Sequence, residues 1–469
     1  MDTAPLIPGQ HVHIVGISGF GMSAIARILL ENGYTVSGSD QQMNELSQKL
    51  LEDGVAIRIG HTAENIGTAE LVLKSSAIPD ENPEIQAARR LGIPVKERRD
   101  FIARLTQGYK TIAVAGTHGK TTTTAMLIHI FTEAGLDPSF IVGGILKNRG
   151  TNAGAGQGQH FIIEADEYGH MFLGLQPQVA IVNNVEWDHP DYFPNPEDLL
   201  QAFQQFVEGL DSSGVLFACA DDDVAHTLAA ERQERVQPVQ TYGVENKSAD
   251  WWAVDLKPNN SGGMDFVACY GSIGSGVIGP VRLHVPGRHN VQNAMAAVAV
   301  ARHEGVPFEV IADALSSFEG AARRSELMGE AAGVRVINDY GHHPTAIQAT
   351  LKAWRDHCSG HLWAVWQPHT YSRTRVLADS FSEAFGAADH VLVTDIYAAR
   401  EKSTPGLFSK DIVALIAQHH PDARYSGDLF STAQFLAEEV RPGDVVVLLT
   451  AGDAPQIGHA LLDVLEKRA

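Results

Sequence analysis

The chain alternates short apolar runs with stretches in which apolar positions recur at helical spacing. Near its start, the strand-like run HVHIVGI precedes the helical pattern GMSAIARILLENG, and two further strand-like runs are YTVSGSD and AELVLKSSA. The segment NPEIQAARRLG then repeats the helical spacing. Strands that alternate with helices in this way are typical of βαβ units on a parallel sheet. The pattern therefore predicts an α/β domain over residues 1–108.

Two further blocks carry the same alternation. In residues 109–322, the apolar runs TIAVA, HFII and QVAIV are each followed by polar residues. The glycine-rich stretch from Asp250 to Val285 predicts β-hairpins, and GRHNVQNAMAAVAVARHEG predicts an amphipathic helix with a polar entry. Residues 323–469 contain four more strand-like runs, GVRVIND, HLWAVWQ, HVLVTD and GDVVVLLT. We therefore predict an α/β protein of three domains.

The composition argues against several classes of protein. The 469 residues carry a formal net charge of -21, which opposes binding to nucleic acid or to an anionic membrane. The three cysteines form no CxxC pair, so neither a zinc site nor a disulfide framework is predicted. No segment offers about 18 uninterrupted apolar residues, and the first ten residues do not resemble a secretion signal. We expect a cytoplasmic protein without a nucleic-acid or membrane partner.

A glycine-rich turn links the first predicted strand to the first helix. Its glycines are Gly16, Gly19 and Gly21, spaced as GxxGxG rather than as the GxGxxG of the common dinucleotide fingerprint. Glycines at such a turn let backbone N–H groups and the helix N-terminus approach a diphosphate. A tight turn without a ligand is one alternative interpretation, and a nicotinamide-dependent oxidoreductase is another.

The motif TIAVAGTHGKTTTT has the features of a phosphate loop. Gly116 and Gly119 permit a loop whose amides surround phosphate oxygens at a helix N-terminus. Lys120 would neutralise nucleotide phosphates, and the Thr121 hydroxyl would bind Mg²⁺. The usual loop has a glycine five residues before Gly119, where this chain has Val114. The motif predicts ATP and Mg²⁺ as cofactors, and the alternative is a regulatory module that binds a nucleotide without chemistry.

Acidic residues follow two of the apolar runs in the second block. The members of these two clusters are Glu164, Asp166, Glu167, Glu186, Asp188 and His189. The carboxyl ends of strands in open α/β sheets face the ligand crevice. Mg²⁺ prefers oxygen ligands, so one carboxylate with a threonine hydroxyl and phosphate is sufficient for a first ion. Surface carboxylates at loop edges are the alternative interpretation.

The third block carries histidines and arginines after its strand-like runs. The two stretches are DYGHHP, residues 339–344, and QPHTYSRTR, residues 367–375. Guanidinium groups bind carboxylates in a bidentate manner, so these stretches suit an anionic substrate.

Taken together, these motifs resemble the ATP-dependent Mur ligases of peptidoglycan synthesis. The resemblance rests on GISGFGMSAIARILLENGYTVSGSD, SSAIPDENPEI, AVAGTHGKTTTT, EADE, NNVEWDH, GRHNVQNA, RRSE, DYGHHPT, QPHTYSRTR and DIYAARE, which cover essentially the whole chain in family order. It implies an N-terminal Rossmann-like domain that binds the UDP part of a substrate. It also implies a central P-loop ATPase-like domain and a C-terminal Rossmann-like domain that brings the amino acid and closes the site.

The resemblance also assigns site residues. Those implied to bind the UDP substrate are Gly16, Gly19, Gly21, Met22, Asp40 and Ser76. Those implied to bind ATP are Gly116, Thr117, His118, Gly119, Lys120, Thr121, Thr122, Asn293, Arg324 and Asp339. Those implied on the amino-acid side are Tyr340, His342, His343, His369 and Arg373. The implied catalytic residues are Lys120, Glu164 and His189, and the implied metal ligands are Thr121, Glu164 and His189.

What the resemblance implies is amide formation by a monomer or dimer from UDP-N-acetylmuramate, L-alanine and ATP. The substrate carboxylate would be phosphorylated to an acyl phosphate, which the alanine amine would then attack. Stretches EADEY and NNVEWDH are also similar to the ligase that attaches murein tripeptide, so tripeptide is the alternative amine. No lysine occurs between Lys147 and Lys247, so the carbamylated lysine of several family members is not expected. No anion contact is assigned to Thr370, which replaces an arginine of some relatives.

Overall fold

The N-terminal domain is built on a five-stranded parallel sheet. The computed structural model describes residues 9–271, 276–399, 401 and 406–468. The elements of this domain are β1 (His11–Val15), α1 (Phe20–Glu31), β2 (Thr35–Asp40), α2 (Glu45–Glu52), β3 (Ala56–Ile59), β4 (Leu71–Lys74), α3 (Pro83–Arg90), β5 (Val95–Glu97) and α4 (Arg98–Leu105). The strand order is β3-β2-β1-β4-β5, and every pairing is parallel. The predicted βαβ alternation is confirmed.

Two helices of this domain begin at side-chain caps. Asn44 precedes α2, and its side chain accepts a hydrogen bond from the backbone N–H of Ser47. Asn82 precedes α3 and accepts from the N–H of Glu84, while Pro83 occupies the first turn. Such caps satisfy N–H groups that have no partner within the helix. They fix where each helix begins relative to the sheet.

The central domain has a ten-stranded sheet. Its elements are β6 (Lys110–Ala115), α5 (Lys120–Glu133), β7 (Ser139–Leu146), β8 (Thr151–Gly154), β9 (His160–Glu164), β10 (Val179–Val182), α6 (Pro196–Glu208), β11 (Val215–Cys219), α7 (Asp223–Glu234), β12 (Val239–Gly243), β13 (Trp251–Pro258), β14 (Met264–Tyr270), β15 (Val277–Arg282), α8 (Arg288–His303) and α9 (Phe308–Ser316). The strand order is β15-β14-β13-β12-β11-β10-β6-β9-β7-β8. Strands β13, β14 and β15 pair antiparallel, so the predicted hairpins are confirmed, although residues 272–275 of the glycine-rich stretch lie outside the described residues.

The C-terminal domain has a six-stranded sheet. Its elements are β16 (Glu326–Ala331), β17 (Val334–Asp339), α10 (Pro344–Arg355), β18 (Leu362–Trp366), α11 (Tyr371–Val376), α12 (Ala378–Ser382), β19 (His390–Thr394), α13 (Ser409–Ile416), β20 (Ala423–Gly427), α14 (Leu429–Glu439), β21 (Val445–Leu449) and α15 (Pro455–Glu466). The order is β16-β17-β21-β18-β19-β20, with only β16 antiparallel among these strands. The four predicted strands are confirmed, and β16 and β20 flank them at the two edges. Arg400 of the DIYAARE stretch lies outside the described residues.

The domain boundaries 1–108, 109–322 and 323–469 stay predictions. Residues 1–8 and residue 469 lie outside the described part of the chain. Each of the three sheets takes all its described strands from one of those ranges.

Helix α8 differs from its sequence pattern. An amphipathic helix was expected, but eleven of its sixteen residues are buried, including the whole run from Asn293 to Ala301. The cause is its position, since α8 packs against α5 on one side and against strands β11 to β14 on the other. Alanines fill much of this helix and allow the close approach. No described helix is both long enough and apolar enough to cross a membrane.

The buried apolar clusters are distributed unequally among the three domains. One continuous cluster runs from the N-terminal domain, for example Ile25 and Phe101, into the central domain, for example Phe172 and Ile181. The C-terminal domain has two clusters of its own, which lie among its described residues from 331 to 465. The N-terminal and central domains therefore share a core from which the C-terminal domain is separate.

Candidate functional site

The phosphate loop connects β6, an interior strand of the central sheet, to α5. Gly116 and Gly119 have φ angles of 134° and 79°, in the region that favours glycine. A Cβ added to Gly119 would lie 2.3 Å from Oδ1 of Asn293 and 3.0 Å from Nδ2 of Asn183, so a side chain there would displace these two amides. The predicted turn of glycines into a helix N-terminus is thus present in the structure.

Val114 explains the departure from the usual phosphate-loop pattern. It is a buried residue of β6 and is in register with Glu164 of β9 and with Ile181 of β10. The turn begins only at Gly116, so this loop is short, and position 114 belongs to the sheet.

Lys120 lies beneath the loop and is held by two kinds of acceptor. Its ammonium group donates to the carbonyl of Gly116 at 2.6 Å and to both carboxylate oxygens of Glu167 at 2.9 and 2.8 Å. Burial alone would lower the pKa of Lys120, but the carboxylates of Glu167 and Asp166 outweigh it and raise the pKa. The lysine is therefore a cation at neutral pH. Glu167 belongs to the predicted acidic cluster, but its contact with Lys120 was not foreseen.

Thr121 and Glu164, two of the implied metal ligands, are in contact. The Thr121 hydroxyl donates to Oε1 of Glu164 at 3.1 Å, and Oε2 of Glu164 accepts from the N–H of Gly143 at 2.7 Å. Arg324 of the C-terminal domain donates to the same hydroxyl at 3.1 Å. A hydroxyl and a carboxylate placed together beside a phosphate loop fit the oxygen preference of Mg²⁺.

His189, the third implied metal ligand, lies beside a different carboxylate. Its Nε2 atom is 3.9 Å from Oε1 of Glu167, and its ring is 5.0 Å from the ring of Tyr168. Its φ angle is 56°, an unusual conformation for a residue with a side chain. Strained backbone of this kind persists where surrounding contacts enforce it. Its assignment as a metal ligand stays a prediction.

Two of the implied amino-acid residues, His342 and Arg373, lie at Asp188 of the central domain, whereas His343 lies beside Trp187 and Glu186. Arg373 donates to Oδ1 of Asp188 at 2.8 Å, and Nε2 of His342 lies 3.8 Å from Oδ2. Burial would raise the pKa of Asp188, but His189 and Arg373 hold it well below its ordinary value. Burial and then Arg373 lower the pKa of His342 to about 3 and that of His369 to about 4. Both imidazoles are therefore neutral at pH 7, and Arg373 is the resident cation.

The segment that enters the C-terminal domain forms a turn around Asp339. The carboxylate of Asp339 accepts from the N–H groups of Ser325 and Gly341, at 2.7 and 2.8 Å. The guanidinium groups of Arg323 and Arg324 lie 4.9 and 5.0 Å from the ring centre of Tyr340. Asp339 and Tyr340 thus position the arginine that reaches the phosphate loop. Arg323 is in the quoted RRSE stretch but was not assigned a role.

The N-terminal glycine turn is held at the end of β2. The N–H of Ser18 donates to Oδ2 of Asp40 at 2.9 Å, and Gly16 has a φ angle of 85°. Met22 is 2% exposed in the first turn of α1, whereas Ser76 is exposed after β4. The predicted UDP residues therefore lie around the carboxyl ends of three adjacent strands, with Met22 as a core residue.

Arg98 connects this turn to the acidic cluster of the central domain. Its guanidinium lies so close to Gly21 that a Cβ there would be 2.2 Å from Cζ. Burial lowers the pKa of Arg98, while Asp166 and Glu164 act in the opposite direction. Its Nε atom is buried without a hydrogen-bond partner among the described residues. The sequence signal for Arg98 is the basic run KERRD, residues 96–100, whose pattern alone predicts no function.

The remaining implied ATP residues line or support the loop. Thr117 donates through Oγ1 to the carbonyl of Glu186 at 2.7 Å, and Thr122 is buried in the first turn of α5. Asn293 is 6% exposed and accepts from the hydroxyl of Thr123 at 3.2 Å, behind the loop. The predicted contact of Asn293 with adenine stays a prediction.

Fold and site together define a class of protein: a three-domain α/β enzyme with a phosphate loop that the C-terminal domain faces. Three family models match successive parts of the chain. The Mur ligase family catalytic domain matches residues 11–110, the Mur ligase middle domain residues 114–301, and the Mur ligase glutamate ligase domain residues 323–452. The chain belongs to the Mur ligase family.

Individual relatives agree with this assignment. The UDP-N-acetylmuramate–L-alanine ligase of Caldanaerobacter subterraneus subsp. tengcongensis is 40% identical over 460 residues, which are 98% of each chain. The crystal structure of UDP-N-acetylmuramate–alanine ligase from Thermotoga maritima has a TM-score of 0.81 and 26% identity, over 98% of this chain and 100% of that one. The murein peptide ligase of Psychrobacter arcticus has a TM-score of 0.70 and 27% identity, over 98% and 99%. The expected family and three-domain architecture are confirmed.

Proposed function

We propose that this enzyme is an ATP-dependent ligase that joins L-alanine to the lactyl carboxylate of UDP-N-acetylmuramate through an acyl phosphate. Full-length relatives at about 40% identity are named for that reaction. The observation that carries the proposal is the contact of Thr121, the residue after Lys120, both with Glu164 and with Arg324 from the C-terminal domain. This arrangement suits ATP as the energy source, because the cations of Lys120 and Arg324 lie where the negative charge of the phosphates must be neutralised.

In the first step, a carboxylate oxygen of the UDP-linked substrate attacks the γ-phosphorus of ATP, and ADP leaves. Lys120 is positioned for this step because Glu167 and the Gly116 carbonyl fix its ammonium group at the loop. A nucleotide phosphate replaces one of these acceptors when ATP binds. Arg324 adds a second positive charge, and preorganised cations of this kind stabilise charge that develops in the transition state.

Mg²⁺ supplies further charge neutralisation when it is bound. The Thr121 hydroxyl and the Glu164 carboxylate would hold a first ion, and both are oxygen donors of the type that Mg²⁺ prefers. His189 would contribute to a second position beside Glu167.

In the second step, the neutral amine of alanine attacks the acyl phosphate carbonyl, and inorganic phosphate leaves. Arg373 is the cation that suits the alanine carboxylate, although it already donates to Asp188. The neutral imidazoles of His342 and His369 stand beside it. A pKa this far below neutral makes both imidazoles weak bases, since an effective general base has a pKa near the working pH, so they are suited to orienting the amine by hydrogen bonds.

The UDP-linked substrate is bound in this proposal by the N-terminal domain. Gly19 and Gly21 bring the backbone and the start of α1 close to its diphosphate. Arg98 packs on Gly21 and also faces the acidic cluster, so it is placed to bind an anionic part of the same substrate. The UDP-linked substrate and ATP are expected in the cytoplasm, where we place the reaction, and the enzyme acts as a monomer or dimer.

The second candidate is attachment of murein tripeptide to the same UDP-sugar. The likeness to the Psychrobacter arcticus murein peptide ligase favours it, at a TM-score of 0.70. Release of ADP from ATP, Mg²⁺ and UDP-N-acetylmuramate, measured with alanine or with tripeptide as the amine, distinguishes the two candidates. Turnover with alanine is expected, and turnover only with tripeptide would overturn the proposal. The Lys120→Ala variant is the blank for contaminating ATPases.

A further inference from the structure

Three side chains from separate segments meet where the phosphate loop faces the C-terminal domain. They are His118 of the loop, Glu186 after β10, and His343 directly before α10. Their nearest ligand atoms all lie within 4.8 Å of one another. We infer that His118, Glu186 and His343 form a binding site for a divalent transition-metal cation, separate from the magnesium position at Thr121 and Glu164.

The hydrogen bonding of His343 carries the inference. Its Nε2 atom is 3.3 Å from the backbone carbonyl of Trp187, which can only accept, so Nε2 carries the proton. The other ring nitrogen, Nδ1, then presents a lone pair. His343 is 3% exposed, and its Nδ1 atom is buried without a hydrogen-bond partner among the residues that the structure describes. It lies 3.6 Å from Oε2 of Glu186, an oxygen that is also 2.7 Å from Nε2 of His118, so the Nδ1 lone pair faces a carboxylate oxygen without a proton between them. A cation between them satisfies both.

The distances fit a small metal ion. In a tetrahedral zinc site the bonds to nitrogen and oxygen are about 2.0–2.2 Å, so neighbouring ligand atoms are about 3.3–3.6 Å apart. The distance from Nδ1 of His343 to Glu186 falls at the upper end of that range, and Nε2 of His118 is 2.7 Å from the same Glu186 oxygen. A small outward movement of His118 therefore completes three protein ligands, with a fourth position left for water or substrate.

The surroundings hold these ligands in place. Thr345 donates to the second carboxylate oxygen of Glu186 at 2.6 Å, which fixes the carboxylate plane. The carbonyl of Trp187 accepts a hydrogen bond from Nε2 of His343 and thereby fixes the tautomer of this ring. Such outer contacts are characteristic of histidine and carboxylate metal ligands. The Glu186 side chain is 40% exposed, so a cation can enter from solvent.

The donor set determines which cations are suitable. Two imidazoles and one carboxylate favour borderline ions such as Zn²⁺, Co²⁺ or Ni²⁺ over Mg²⁺, which prefers oxygen ligands. Because His118 belongs to the phosphate loop and His343 to the C-terminal domain, the bound ion would link the two. We expect it to stabilise the arrangement in which this domain faces the loop.

The test uses Co²⁺ as the probe, added to metal-free full-length enzyme without nucleotide and with excess Mg²⁺ present. We expect one equivalent to bind with visible absorption bands typical of nitrogen ligation. His343→Asn and Glu186→Gln should each weaken binding at least tenfold. Because the titration contains no substrate, its failure would overturn only the metal site, whereas failure of the ligase assay would overturn only the proposed function.

The matched control is His361→Asn, because His361 and His390 form a second histidine pair at 2.7 Å on the exposed surface. This variant should leave Co²⁺ affinity unchanged. No Co²⁺ uptake, displacement by Mg²⁺, affinity retained in His343→Asn, or affinity lost in His361→Asn would each overturn the inference. Thermal unfolding without metal shows whether each variant is folded. If His343→Asn or Glu186→Gln does not fold, His118→Asn replaces it as a variant that lacks one ligand.

Discussion

Arg373 of the C-terminal domain donates through Nε to Oδ1 of Asp188 in the central domain at 2.8 Å, and both side chains are buried. This ion pair joins two domains that have separate apolar cores. A buried pair of charges is costly to break from one side only, because the remaining charge keeps its desolvation cost. The pair therefore determines how firmly the C-terminal domain is held against the site.

Arg373→Ala is expected to reduce turnover at least tenfold and to make the C-terminal domain more susceptible to proteolysis. The physical reason is the unpaired carboxylate that remains at Asp188. Steady-state kinetics and a limited-proteolysis time course measure the two effects. Arg375→Ala is the control, since Arg375 is exposed on the same short helix. Equal effects of the two substitutions would contradict the role assigned to the ion pair.

Lys120→Ala is expected to lower kcat by about 100-fold or more, a loss typical of removing one preorganised charge from a transition state. Binding of UDP-N-acetylmuramate should change little, because its predicted site is in the N-terminal domain. Rapid-quench turnover and calorimetric binding of the UDP-sugar measure these two quantities. Near-normal turnover would refute the assignment of Lys120 to the phosphates.

Gly119→Ala is expected to abolish ATP binding, because the new Cβ would meet Asn293 at 2.3 Å in a left-handed backbone. Gly135→Ala is the matched control. Gly135 has a similar φ angle of 72°, but no heavy atom of the described residues lies within 4 Å of the added Cβ. The control should therefore lose only about 1–2 kcal/mol of stability, the cost of a left-handed backbone for a residue with a Cβ, and keep its affinity for nucleotide. Nucleotide titration and urea denaturation compare the two variants, and loss of ATP binding in both would point to general backbone damage.

Arg98→Ala is expected to raise the KM for UDP-N-acetylmuramate at least tenfold while the KM for ATP changes little. The guanidinium packs on Gly21 of the predicted diphosphate turn, and its Nε has no described partner within the protein. Arg99→Ala serves as the control, since its side chain is 47% exposed. An unchanged KM for the UDP-sugar in Arg98→Ala would exclude this arginine as a substrate contact.

Glu84 should make the stability of the N-terminal domain depend on pH. Burial would raise its pKa, but hydrogen bonds from His13, Ser39 and Asn65 lower it from 4.5 to about 2. Because the folded-state pKa lies below the unfolded value, the carboxylate stabilises the fold above pH 4.5. That contribution, about 3 kcal/mol, is lost as the pH falls from 4.5 to about 2.

Glu84→Gln is accordingly expected to be destabilised at pH 7, and its deficit relative to wild type should shrink toward pH 3. Urea denaturation at several pH values measures the difference in the free energy of unfolding. Glu81→Gln changes an exposed carboxylate just before the same helix and should show no such trend. A deficit that is independent of pH would show that the charge of Glu84 is not the cause.

The sequence predicted those parts of the site that depend on local rules. The phosphate loop was identifiable because Gly116, Gly119 and Lys120 occur between a strand pattern and a helix pattern. The acidic clusters were identifiable because the carboxyl ends of parallel strands share one edge of the sheet. The chemistry of these residues then followed from their types.

Contacts between distant segments could not be predicted in this way. Arg98 reaches Gly21, 77 positions earlier in the chain, because α4 packs beside the glycine turn. Glu84 gains its donors from β1, β2 and the segment after β3, none of which has a pattern that indicates a buried carboxylate. The burial of α8 likewise depends on its neighbours and not on its own spacing of apolar residues.

The unequal division of the apolar cores has a consequence for the order of events in a catalytic cycle. Because one apolar cluster runs through the first two domains, we expect UDP-sugar and ATP to be loaded onto two domains that move together. The C-terminal domain meets that body through polar contacts such as Arg373 with Asp188 and Arg324 with Thr121, which water can replace. We therefore expect products to leave when the C-terminal domain separates from the other two about the turn at Arg323 and Ser325, both of which have positive φ angles, and a crosslink that fixes this turn should stop the cycle after a single turnover.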